Sequence, residues 1–160
     1  MNTTLEHILV ATDFSHSSST AVGYAAALAH SLGARLHLVH VLEDPFTTAG
    51  HYEWHLPDTP ARREERYERA LARLSQDAAA VSGVVAASIE VRSGWVTHAL
   101  AQAAIDYGAD LIVLGTRGHA GLRHLFDGDR AQRLQRTTGR PILTVRDVAD
   151  APVSGQASAA

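Results

Sequence analysis

The sequence predicts an α/β protein: a five-stranded parallel sheet with helices on both faces. Three observations carry this. Short apolar runs alternate with longer stretches of helical periodicity along most of the chain. The short runs are apolar almost without interruption, the pattern of strands covered on both sides. Finally, "LGARLHLVHV" and "YGADLIVLGT" repeat one junction: a helix-stopping glycine, then Ala, a charged residue, Leu and an apolar run. Two helices therefore feed two strands through the same corner, as crossovers between parallel strands require. This is a shared junction and not a repeat, and no solenoid period is present.

Each element has its own signal. "HILVAT" (His7–Thr12) is short, apolar and β-branched, a buried strand. The serines that follow offer a helix N-cap. Ala21, Val22, Ala25, Leu28, Ala29 and Leu32 then fall on one helical face, and Gly33 ends it. "ARLHLVHV" (Ala34–Val41) is the second strand. Thr59 before Pro60 opens the second helix, because proline at the first helical position loses no hydrogen bond. Tyr67, Ala70, Leu71, Leu74, Ala78 and Val81 continue it at helical spacing to Gly83. "ASIEVR" is the third strand, Trp95–Tyr107 the third helix and Ala109–Gly115 the fourth strand. Gly128–Thr138 is the fourth helix and Pro141–Arg146 the fifth strand.

A chain of 160 residues suits one domain with a real core, expected over residues 1–146. The tail 147–160, "DVADAPVSGQASAA", is small and polar and is expected to be disordered. Asp44–Asp58 is a long connection containing Tyr52 and Trp54, suited to covering a ligand or packing on a partner. With 46% hydrophobic and 19% charged residues, and a net charge of −3, nothing drives the chain toward nucleic acid or acidic membranes. The absence of cysteine excludes disulfides and thiolate chemistry. No secretory signal is visible, and no run approaches the roughly 18 apolar residues of a membrane span. A cytoplasmic protein is expected.

In parallel sheets of this class, ligands bind beyond the carboxyl ends of the strands, where the strand order reverses. The candidates are Asp13, the segment from His40 to Asp44, Gly94, and the loop from Gly115 to Asp129. In that loop Gly115 and Gly118 are followed, after nine intervening residues, by Gly128 at a helix start. Glycines permit close backbone approach, and a helix N-terminus offers free N–H groups and a positive dipole end to an anion. Neither the P-loop nor the G-x-G-x-x-G dinucleotide motif is present.

"ILVATDFS", "GADLIVLGTRGHAGL" with its G-x2-G-x9-G spacing, and "RPILTVR" together resemble the universal stress protein family, from about His7 to Arg146. The resemblance implies a Rossmann-like sheet of the adenine nucleotide α-hydrolase type, usually dimeric, that binds ATP or a related adenine nucleotide in a stress response. It implies that Asp13 contacts adenine, with Ala11, Thr12 and Val41 lining the pocket. Gly115, Thr116, Arg117, Gly118, Gly128 and the amides of Asp129 and Arg130 would hold ribose and phosphates. It also places "PILTVR" at the sheet edge, where an apolar strand attracts a second copy, so a homodimer through Pro141–Arg146 is expected.

One position departs from the pattern. ATP-binding members carry Ser or Thr after the last glycine, and this chain has Asp129. As a helix N-cap, aspartate contributes about 0.5–2 kcal/mol over alanine. It would use the same amides that a phosphate would use. Two unit charges about 4 Å apart interact by roughly 4 kcal/mol at an effective dielectric of 20, enough to weaken binding about a thousandfold. Arg117, Arg123, Arg130, Arg133 and Arg136, with His119 and His124, offset Asp127 and Asp129. A Mg²⁺ ion bridging Asp129 to phosphate oxygens is a second means of compensation. A phosphate site so compensated and one closed by Asp129 are both consistent with the sequence.

Other chemistry is weakly supported. Ten histidines invite a metal, yet only His51, His55 and Asp58 have suggestive spacing, in a segment broken by prolines. His37 and His40 fall on opposite faces of their strand. No nucleophile elbow or nucleic-acid motif occurs. Asp13 has a purely local alternative, as an Asx-turn residue for the amides that follow. Hydrolysis, if any, is expected to be slow, since no general base or nucleophile stands out.

Overall fold

The computed structural model describes residues 4–43, 59–115 and 128–146. The elements run β1 (His7–Ala11), α1 (His16–Leu32), β2 (Arg35–Leu42), α2 (Pro60–Val81), β3 (Ala87–Ser93), α3 (Val96–Asp106), β4 (Leu111–Gly115), α4 (Gly128–Thr138) and β5 (Ile142–Val145). All five strands form one parallel sheet in the order β3-β2-β1-β4-β5. The expected α/β architecture is therefore present.

Local chemistry sets the helix ends. The side chain of Ser15 accepts the Ser18 N–H to cap α1, and Thr59 does the same for Arg62 at the start of α2, with Pro60 first in the helix. The repeated corner is the same structure twice. Gly33 and Gly108 adopt φ 67° and 60°, which a side chain would resist. Ala34 N–H returns to Ala29 O at 2.9 Å and Ala109 N–H to Ala104 O at 2.8 Å. The next amide in each case enters the sheet beside β1: Arg35 N–H bonds Glu6 O and Asp110 N–H bonds His7 O. One corner thus sets the start of β2, the other the start of β4.

The period of two along each strand divides the core. Ile8, Val10, Leu36, Leu38 and Val113 pack against α1 and α2, through Ala21, Ala25, Ala70 and Leu74. Leu9, Ala11, Val39, Ile112 and Leu114 pack against α3 and α4, through Val96, Leu100, Ala104 and Leu134.

Several boundaries differ from the sequence reading. β1 ends at Ala11, because the Thr12 carbonyl accepts from the His40 ring. β4 begins at Leu111, since Ala109 still belongs to the helix corner. Trp95 is the N-cap of α3 and not its first helical residue. Leu32, expected on the apolar face of α1, is 47% exposed, and Ala26 is buried in that helix.

Candidate functional site

β1 is followed by β2 on one side, while β4 joins it on the other, so the strand order reverses between β1 and β4. A crevice beyond the carboxyl ends of these two strands follows from that topology. Asp13 leaves β1 there, and Gly115 ends β4. Ala11 pairs with Val39, and the Thr12 N–H still bonds Val39 O at 3.0 Å. Asp13 therefore lies one residue beyond the last β1–β2 backbone contact, and on β2 Val41 pairs with Arg92 of β3. Ala11 and Val41 share the α3/α4 face with Val96, an apolar wall at the strand ends.

Thr12 is engaged internally. Its hydroxyl lies 3.1 Å from Ser18 Oγ and accepts the Phe14 N–H at 3.1 Å. Asp13 makes the Asx turn that the sequence allowed: its Oδ1 accepts the Ser15 N–H at 3.0 Å. Gly115 also has a local cause. A Cβ there would lie 2.5 Å from Ser17 O and 2.7 Å from Ser17 C, so α1 crosses β4 too closely for any side chain. Thr116, Arg117 and Gly118 lie outside the described residues, as do Asp44–Asp58 with His51 and His55, and the tail 147–160. Gly128 is the first residue of α4, with Asp129 and Arg130 in its first turn.

The turn after β1 contains the least expected geometry. Phe14 has φ 63°, the one described non-glycine residue with positive φ. Such a conformation costs an ordinary side chain roughly 1–2 kcal/mol, so surrounding contacts must hold it. The Phe14 ring stacks on His40 at 4.3 Å, and the Arg73 guanidinium lies 4.6 Å from its centroid. Arg73 Nη2 also donates to Phe14 O at 3.4 Å. His40 Nδ1 donates to Thr12 O at 2.7 Å. Burial lowers the His40 pKa, with the Thr12 carbonyl and Asp13 opposing. On α2, burial raises the Asp77 pKa against the pull of Arg73, and Asp77 Oδ2 is buried without a hydrogen-bond partner.

A second polar cluster lies on the α3/α4 face. His7 Nδ1 and His37 Nε2 are 2.9 Å apart, and His37 Nδ1 is 2.6 Å from Ser88 Oγ. The ring centroids of His7 and His37 are 5.2 Å apart at 13°, longer than the N···N contact by about one ring diameter. The imidazoles are therefore nearly coplanar and end to end, joined by one N–H···N bond. Tyr107 stacks on His37 at 4.2 Å. Further along β3, Arg92 pairs with Glu90 at 3.0 Å and with Asp106 at 2.7 Å. The Glu90 contact is an ion pair without an aligned hydrogen bond. As expected, His37 and His40 use opposite faces of the sheet. Among the described residues, no group of three or more His, Asp or Glu side chains is arranged to hold a metal ion.

The sequence singles out Asp13, Val41 and Gly115 as candidates but not Phe14, Arg73 and His40 as a cluster. An aromatic residue inside an otherwise polar turn was the available signal.

The model of the universal stress protein family matches residues 4–146. The chain belongs to that family. Among its curated relatives, a universal stress protein of Thermus aquaticus is 37% identical over 139 residues, 87% of this chain and 97% of the relative. The universal stress protein UspA from Lactobacillus plantarum has the same fold, with a TM-score of 0.71 at 22% identity, covering 91% of this chain and all of that one (100%). A universal stress protein from Archaeoglobus fulgidus, solved in complex with dAMP, superposes with a TM-score of 0.60 at 18% identity, covering 88% and 98%. Among the described residues, no helix of this universal stress protein is long and apolar enough to cross a membrane.

Proposed function

We propose that this universal stress protein is a cytoplasmic regulatory protein that binds ATP or a related adenine nucleotide at the carboxyl ends of β1 and β4. Any hydrolysis is slow. The observation that carries the reading is the topology: Asp13 follows two residues after Ala11, which shares an apolar wall with Val41 and Val96, at the point where the strand order reverses. Such a site has a flat apolar surface for a base and a carboxylate to accept from its amino group. The start of α4 at Gly128 offers backbone N–H groups for phosphates. The family relative solved with dAMP supports an adenine ligand. Thr116, Arg117, Gly118 and the amides of Asp129 and Arg130 would complete the proposed phosphate side, where Asp129 would help hold a Mg²⁺ ion that offsets the phosphate charge.

A second reading is favoured by two observations. Gly115 is explained by the crossing of α1 alone, and an aspartate already occupies the first turn of α4. The protein would then be a nucleotide-free dimeric interaction module with its phosphate site closed by Asp129 and a protein partner. One experiment separates the readings. Freshly purified protein is denatured and any released nucleotide identified, then ATP is titrated into wild type and Asp129→Ser, with and without Mg²⁺. Binding by wild type that strengthens with Mg²⁺ is the expected result. Binding that appears only in Asp129→Ser establishes the closed module instead.

A further inference from the structure

Asp13 sits in a heavily constrained turn, and the constraint comes from its neighbours. On one side, the Thr12 N–H is held by Val39 O, its carbonyl by the His40 ring and its hydroxyl by the Phe14 N–H. On the other side, Phe14 is held in a left-handed conformation, its ring against His40 and Arg73 and its carbonyl bonded by Arg73. Asp13 itself closes the turn onto the Ser15 N–H. Phe14 is only partly buried, at the margin of the core on the α1/α2 face. Arg73 is exposed and belongs to α2, a helix otherwise docked through Ala70 and Leu74 on the face opposite the Ala11–Val41 wall.

We propose that Phe14, His40 and Arg73 are positioning residues of the nucleotide site: by pinning both peptide neighbours of Asp13 they hold its carboxylate for the amino group of adenine, and they make base selectivity depend on α2. The inference rests on the nucleotide-binding reading above. Its chemistry is selective. A fixed carboxylate accepts from the exocyclic amine of adenine, whereas hypoxanthine presents a carbonyl oxygen at the same place and is repelled. A carboxylate free to swing aside loses that discrimination before it loses affinity for the shared ribose and phosphates.

The test compares ATP with ITP, binding measured by calorimetry on the full chain. Wild type should prefer ATP. Phe14→Gly keeps a residue at ease with positive φ while removing the ring, and Arg73→Met removes both contacts from a surface position that folding tolerates. Each should cut the ATP:ITP affinity ratio by roughly tenfold, the value of one charge-assisted hydrogen bond, with unchanged circular dichroism; the melting temperature should hold in Arg73→Met and fall somewhat in Phe14→Gly, whose ring packs against the core. Arg73→Lys should restore part of it. In the absence of nucleotide, exchange of the Ser15 amide should accelerate in both variants. Unaltered selectivity and exchange in Phe14→Gly and Arg73→Met, with Asp13→Asn abolishing the preference, overturns the positioning role while leaving nucleotide binding intact. Absence of any adenine nucleotide binding by wild type overturns the nucleotide reading and this inference with it.

Discussion

At the residue scale, the His7–His37 pair shows how a strand sequence hides its chemistry. Each histidine alone is an ordinary member of an apolar strand, yet the register brings them into one end-to-end hydrogen bond. That bond accommodates one shared proton, and a second proton destroys it. His37 is buried, and burial, the neighbouring His7 and Arg35 all lower its pKa. The sign of the effect on stability follows. The unfolded chain takes up a proton near pH 6.5, before the folded chain does, so stability is complete above that value. It falls as pH drops from there toward the lowered folded pKa. His40 is shifted in the same direction and adds to the slope. Melting temperature should therefore be level from pH 8 to 7 and decline below about 6.5. His37→Phe, which retains the ring against Tyr107, should flatten part of the decline. A wild-type profile level down to pH 5 contradicts this account.

At the element scale, the close crossing of α1 over β4 decides what Gly115 is for. A Cβ would meet Ser17 O at 2.5 Å, against backbone that a rotamer change cannot move. Gly115→Ala should therefore lower stability by about 1–3 kcal/mol, the usual penalty for overpacking, whether or not nucleotide is present. Urea unfolding with and without ATP measures it. A Gly115→Ala protein of wild-type stability that fails to bind ATP would return the glycine to a purely ligand-facing role. The same element pair shows where the sequence was legible. Strand and helix identities followed from apolar periodicity, and the helix ends from Ser15, Thr59, Gly33 and Gly108, because these are local effects. The crossing distance between α1 and β4 is not local, so the sequence alone did not show that packing also requires a glycine at position 115. Phe14, His40 and Arg73 come from three separate elements and meet only once the sheet register and the seat of α2 are set. Asp13 and Val41 were legible for the opposite reason: strand ends at a reversal of order are fixed by topology.

At the scale of the whole molecule, the strand order leaves two sheet edges, β3 and β5, and their chemistry differs. Beside β3, Arg92 is committed to Glu90 and Asp106, and a charged edge resists pairing with a copy of itself. β5 carries Ile142, Leu143, Thr144 and Val145, without a charge, and only Thr144 of the four is exposed. An uncharged edge strand whose outer N–H and C=O groups are unpaired within the sheet favours a second copy, so we propose a homodimer through β5, in the Pro141–Arg146 segment. Light scattering should give twice the chain mass. Thr144→Arg, at a solvent-facing position that the fold tolerates, should weaken the dimer at least about tenfold by placing like charges across the two-fold axis. Ser93→Arg, equally exposed on β3, should leave the mass unchanged. A monomeric wild type removes the dimer from the proposal. Dissociation by Ser93→Arg with no effect of Thr144→Arg moves the interface to β3, and places it next to Arg92, which pairs with Val41 of the proposed nucleotide site.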